Sequence, residues 1–197
     1  VTCWAVIPIK ATGSAKSRLA GALDAGQRQA LVRDMLQHVV AAAQGASTIE
    51  NTLLIGTSRL GLPESIPLLD DPGLGLNAAV QAALEEISAQ DRAPGRLLIL
   101  FADLPEVTSA EIDRLAAAPY GTIAIAPDRH EIGTNAMCLP LPAARAFRFA
   151  FGEDSFARHR TEADRLGLPF EVILSHGLER DVDEPEDLPD ANTLGRT

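Results

Sequence analysis

The 197-residue sequence predicts a single α/β domain with a mainly parallel central sheet and helices on both faces. Three observations carry this prediction. Short apolar runs alternate with segments of helical periodicity from one end of the chain to the other. Several of these runs are continuously apolar, as in strands buried on both faces. No composition break, low-complexity linker or internal repeat divides the chain, so one domain is expected over residues 1–190, with 191–197 as a flexible tail.

The first run, residues 3–9, reads Cys-Trp-Ala-Val-Ile-Pro-Ile and is a strand. A helix is expected over 25–44. Asp24 and Gln27 have the spacing of a capping box, Leu31, Met35, Leu36 and Val39 mark the apolar face, and Gly45 is a stop. Residues 52–57 form the second strand, followed by a loop punctuated by Pro63 and Pro67. A helix over 76–87 follows Asp71-Pro72-Gly73-Leu74-Gly75. The run 97–101 is wholly apolar and reads as the central strand. Thr108 and Glu111 form a second capping box, which opens a helix to about residue 118. Strands are expected over 122–126, 135–139 and 170–174, with a helix over 155–166.

Composition excludes several functions. The net charge is −10, which opposes nonspecific binding to nucleic acid or anionic membrane. With six Phe, one Tyr and one Trp, there is no interleaving of aromatic and basic residues of the RNA-binding kind. No apolar run reaches the roughly 18 residues of a membrane span. Cys3 and Cys138 lie in apolar contexts without metal or redox spacing and read as reduced, buried thiols. A cytoplasmic protein is expected. The four histidines lack zinc spacing, and no nucleophile-elbow motif occurs.

Open α/β sheets bind ligands beyond the carboxyl ends of their strands. After the first strand come Lys10, Lys16 and Arg18 among small residues, a basic spot in an acidic chain suited to a phosphate-rich ligand. After the central strand comes Asp103, where Pro105 turns the chain and a carboxylate can hold a hard cation; a turn or capping Asp is the plainer reading. After the next strand come Asp128 and Arg129. Near the end stand Asp181 and Asp183. In extended chain they face one way and repel unless a cation lies between them, although acidic runs are more often solvated faces. Gly75 leads into a helix N-terminus, which allows close approach of a ligand to free N–H groups. Thr134, Gly152 and Ser155 offer hydroxyl and N–H donors, with Ser155 also readable as a plain N-cap.

These motifs in this order resemble the CofC/FbiD-type guanylyltransferases of coenzyme F420 biosynthesis. The resemblance rests on Ala15-Lys16-Ser17-Arg18-Leu19, Gly75-Leu76-Asn77, Ala102-Asp103-Leu104-Pro105, Pro127-Asp128-Arg129 and Gly133-Thr134-Asn135-Ala136. Phe151-Gly152 with Ser155-Phe156 and His159, and the terminal Asp181-Val182-Asp183, complete it. It implies a nucleotidyltransferase fold of the glycosyltransferase-A type. The implied activity moves GMP from GTP to 2-phospho-L-lactate, phosphoenolpyruvate or 3-phospho-D-glycerate and releases pyrophosphate. It further implies that Lys10, Lys16 and Arg18 meet the triphosphate and that Gly75 and Asn77 help form the guanine pocket. Asp103, Asp181 and Asp183 would hold Mg2+, while Thr134, Gly152 and Ser155 would hold the acceptor. Lys10, Lys16, Arg18 and Asp103 are then the catalytic set. A downstream enzyme of F420 biosynthesis is a candidate partner, and the chain is expected as a monomer or homodimer. The sequence departs from the family pattern in Gly73-Leu74-Gly75, where consecutive glycines are common, and in Arg129-His130-Glu131-Ile132. A nucleotidyltransferase for a pterin cofactor or sugar phosphate, and a noncatalytic nucleotide-binding module, are the alternatives.

Overall fold

The computed structural model describes residues 1–9 and 16–188. The expected tail therefore lies outside the described residues, as does Lys10. A seven-stranded sheet runs in the order β3-β2-β1-β4-β6-β5-β7. Its strands are β1 (Cys3–Pro8), β2 (Ile49–Ile55), β3 (Leu68–Leu69), β4 (Arg96–Leu100), β5 (Ile123–Pro127), β6 (Thr134–Pro140) and β7 (Phe170–Val172). The helices are α1 (Ala25–Gly45), α2 (Leu76–Ser88), α3 (Ser109–Ala116), α4 (Ser155–Leu166) and the short α5 (His176–Glu179). Both capping boxes form: Asp24 with Gln27 opens α1, and Thr108 with Glu111 opens α3. The two-residue β3 and four-residue α5 carry no periodic signal and were not expected.

Strand alternation sorts the apolar side chains into two layers. Ala5, Ile7, Leu98 and Leu100 face α1, α3 and α5. Val6, Leu97 and Ile99 face α2, α4 and the Phe147–Phe151 segment. Cys3 and Cys138 are free and buried, as their apolar contexts imply, with sulfurs 3.9 Å apart. Arg96 is buried beside them. Its guanidinium donates to the Ala118, Pro119 and Thr122 carbonyls and to Cys138 Sγ, which offsets the cost of burying a cation.

All strand pairs are parallel except those of β6, which runs antiparallel to both β4 and β5. The tight loop from β5 to β6 causes the reversal. The Asp128 carboxylate accepts from the backbone N–H groups of His130, Ile132 and Gly133 at 2.9–3.0 Å, a turn-forming use of an acidic side chain. The amino-terminal end of β6 therefore lies at the carboxyl edge of its neighbours, with Leu100 opposite Ala136. Thr134 and Asn135 thus join the carboxyl edge of the sheet although they open a strand.

Candidate active site

At the carboxyl edge of β4, Asp103 meets two other segments. Lys16 stands just before a 3-10 turn at Ser17–Gly21 and adopts the left-handed backbone region, φ 58°, which L-residues with side chains rarely enter. That conformation accompanies an inward side chain. Lys16 Nζ donates to Asp103 Oδ2 at 2.6 Å and to Asp183 Oδ1 at 2.8 Å. Burial by itself would depress the ammonium's pKa, but the facing Asp103 and Asp183 carboxylates more than offset it and raise the value. Asp103 is therefore an ion-pairing residue and not a cap.

The 181–183 segment is pegged by its middle residue. Val182 buries its side chain with Leu19 and Met35, and its N–H donates to the Asp103 carbonyl at 3.1 Å. Asp181 and Asp183 flank this peg, both within electrostatic reach of Asp103. Burial first, and then the Asp103 and Asp183 charges, push the Asp181 carboxyl up to about 6. Asn135 Nδ2 opposes the shift by donating to Asp181 Oδ1 at 3.2 Å. Asp187 braces the segment: its carboxylate accepts from the Asp183 and Glu184 N–H groups and from Arg129. The Pro127-Asp128-Arg129 motif is thus a turn and a brace for the acidic segment. Only part of the acidic run is a solvated face.

Two carboxylates, Asp103 and Asp183, meet the Lys16 ammonium, and Asp181 lies within electrostatic reach of both. Asp103 Oδ1 is buried without a hydrogen-bond partner, and hard oxygen donors match Mg2+. Among the described residues no three His, Cys, Asp or Glu side chains stand close enough to hold an ion as placed. Lys16 takes up the space between Asp103 and Asp183.

A cleft of about 270 Å3 opens beside this cluster, lined by Lys16, Arg18, Leu76, Phe101, Asp103 and Asp183 among others. Arg18 is held only lightly, 3.7 Å from Glu184 with both side chains exposed, a pair of little energy. Gly75 opens α2 at φ 93° with no side-chain cap, a conformation suited to glycine. Both polar atoms of the Asn77 amide are engaged. Its Oδ1 accepts from the Phe151 N–H at 2.7 Å and its Nδ2 donates to the Phe151 carbonyl at 3.0 Å. It clamps the turn that carries Gly152, itself at φ 120°.

Thr134 and Ser155 are buried and adjacent, with Ser155 Oγ 3.2 Å from Thr134 Oγ1. Ser155 is not the N-cap of α4; that position belongs to Asp154, whose side chain makes no cap bond. The structure thus brings Thr134 together with Ser155, and Lys16 with Asp103 and Asp183. Residue-type reasoning gave no role to Asn135, Val182 or His159, which hold these groups in place. The only signal for them was membership of the motifs.

This sheet, with one reversed strand among those described, has the nucleotide-diphospho-sugar transferase type of fold seen in solved nucleotidyltransferases. The fold is similar to 2-C-methyl-D-erythritol 4-phosphate cytidylyltransferase from Thermus thermophilus, with a TM-score of 0.62 and 16% identity, covering 100% of each chain. The family model for CofC-like guanylyl transferases matches residues 3–195. A phosphoenolpyruvate guanylyltransferase of Sphaerobacter thermophilus is 41% identical over 194 residues, 95% of this chain and 91% of that protein. A 2-phospho-L-lactate guanylyltransferase of Halorubrum lacusprofundi is 37% identical over 184 residues, 93% of this chain and 81% of that one. The chain belongs to the CofC-like guanylyl transferase family. Among the described residues no helix is long and apolar enough to cross a membrane.

Proposed function

We propose that this enzyme transfers GMP from GTP to the phosphate of a small phosphorylated acid, releasing pyrophosphate, as a cytoplasmic step of coenzyme F420 biosynthesis. The observation that carries this reading is Lys16 held between Asp103 and Asp183 at the mouth of the cleft. The acceptor phosphate is already anionic, so no general base is required. An acceptor oxygen attacks the α-phosphorus of GTP, the bond to the bridging oxygen breaks, and the electron pair leaves with pyrophosphate. The barrier is the approach of two anions, and electrostatic stabilisation is the main task of the site.

Asp103, Asp181 and Asp183 would hold Mg2+, which when bound neutralises phosphate charge and steadies the leaving group. Lys16, displaced from the carboxylates, turns its ammonium to the triphosphate, and Lys10 and Arg18 are assigned to the same ligand. Gly75 offers backbone to the base, and Asn77 fixes a wall of that pocket through Phe151. Thr134, Gly152 and Ser155 hold the acceptor. The free, buried thiols support a reducing compartment.

The phosphoenolpyruvate-named relative at 41% identity makes phosphoenolpyruvate the first acid to test. Pyrophosphate release is measured with GTP, Mg2+ and, in parallel, phosphoenolpyruvate, 2-phospho-L-lactate and 3-phospho-D-glycerate. Release that requires one of the acids is expected. No release with any of them overturns the proposal, and a preference for CTP or UTP would move the enzyme to the pterin or sugar-phosphate alternative.

A further inference from the structure

His159 lies on α4 with no exposed surface, its ring 4.7 Å from that of Phe151 and 5.8 Å from that of Phe147. Both ring nitrogens have partners. Nε2 lies 3.0 Å from the backbone nitrogen of Ala150. A peptide N–H can only donate, so Nε2 is the bare, accepting nitrogen and the proton of the neutral ring sits on Nδ1. Nδ1 is 3.1 Å from Thr134 Oγ1 and donates to it.

This tautomer dictates where the neighbouring hydroxyl protons go. Thr134 and Ser155 carry two hydroxyl protons between them, and one bridges the pair. Thr134 already receives a proton from His159, so the remaining hydroxyl proton cannot be spent on the ring. Among the described residues no carbonyl or carboxylate takes it. Within the Thr134–Ser155–His159 chain that proton is left without an acceptor. In the opposite tautomer Thr134 would donate to Nδ1 and Ser155 to Thr134, leaving only lone pairs to face an anion.

We infer that His159 is a positioning residue that sets the polarity of the Thr134–Ser155 pair, making it a hydrogen-bond donor to an anionic oxygen of the acceptor acid. The inference rests on the proposed reading that Thr134 and Ser155 hold the acceptor. His159 touches no substrate; it acts through Thr134, and the Ala150 N–H fixes its tautomer. The neighbouring rings exclude water that could exchange the roles of its nitrogens.

Steady-state kinetics with GTP and phosphoenolpyruvate, or whichever of the three acids supports turnover, test this. In His159→Gln the amide can still meet the Ala150 N–H but falls short of Thr134. The acceptor KM should rise about tenfold or more, the weight of one hydrogen bond to a charged group, while the GTP KM stays within about twofold. His159→Asn, whose amide nitrogen takes the place of Nδ1, should restore most of the acceptor affinity. Thr134→Val should raise the acceptor KM by itself, and His159→Gln should add little on top of it. If Thr134→Val leaves the acceptor KM unchanged, the acceptor reading fails and this inference with it. If Thr134→Val raises it and His159→Gln does not, only the role of His159 fails. Nitrogen-15 NMR of the wild-type protein tests the tautomer independently of any variant's folding. A proton on Nδ1 with bare Nε2 is expected, and a proton on Nε2 overturns the inference.

Discussion

The two ends of the proposed site, the Asp103 cluster and the Thr134–Ser155 pair, solve different electrostatic problems. Around Asp103 the groups are charged: an ammonium lies between two carboxylates, a neighbouring carboxyl is pushed up to about 6, and one carboxylate oxygen is buried without a partner. Around Thr134 the groups are neutral, and Ser155, His159 and the Ala150 N–H are joined in one chain of hydrogen bonds. A site that must accept and release a triphosphate needs contacts that exchange partners. On the proposed reading the Thr134 end recognises one small acid, which needs donors fixed in direction before it arrives. Asn77 joins the two ends, starting from the cleft-side helix α2 and holding the backbone of Phe151.

Four substitutions would break or sharpen this contrast. The largest effect is expected from Asp103→Asn, which removes a charge from the centre of the exchanging end. Turnover should fall about a thousandfold, the scale of losing a principal electrostatic contact in a catalytic site, with the melting temperature little changed. Unchanged turnover in steady-state assays would move the chemistry away from this cluster.

Lys16→Ala should lower kcat/KM for GTP about a hundredfold and yet strengthen Mg2+ binding in the absence of nucleotide, because the ammonium competes for the same oxygens. Calorimetry with MgCl2 and no GTP reads the second effect directly. Weaker ion binding in the variant would show that Lys16 does not occupy the cation's place.

Asn77→Ala removes the link and leaves the Phe151 N–H and carbonyl unpaired. A loss of about 1–3 kcal/mol in urea unfolding is expected, with KM raised several-fold for both substrates. A change confined to GTP would instead mean that Asn77 serves the base alone.

The smallest effect concerns the neutral end. Burial holds the His159 ring down to about 4, against an ordinary 6.5, with the Glu162 charge only partly opposing. Between those values the unfolded chain binds a proton that the folded chain does not. The stability contribution is complete above about pH 6.5 and is lost as pH falls toward 4, at about 1.4 kcal/mol per unit. Urea unfolding at pH 7 and pH 5 should therefore show a loss about 1–2 kcal/mol larger in the wild type than in His159→Gln. Equal losses would mean that the ring is not held neutral.

Local patterns carried most of the fold. Both capping boxes, the bounds of α4 and the buried strands follow from spacing and hydrophobicity, because these preferences are decided within a few residues. Reading the residues that follow each strand located Lys16, Asp103 and Asp183. Thr134 was singled out instead as a hydroxyl in a polar stretch and Asn135 was given no role of its own, since among the described strands β6 alone runs backwards and its start lies at the carboxyl edge of its neighbours. Ser155 looked like an N-cap by residue type, but its hydroxyl turned to a partner on another element.

By itself the sequence determined the α/β class, the alternation of its elements, the family and the chemical kind of the site: cations and carboxylates at strand ends. Only the tertiary structure decided which groups pair. Lys16 meets residues 87 and 167 positions away, Asn77 meets Phe151 across 74, and His159 meets Thr134 across 25. Local propensity is blind to such contacts. They form because the sheet order and the reversal of β6 bring distant strand ends to one edge, where burial then requires each polar group to find a partner.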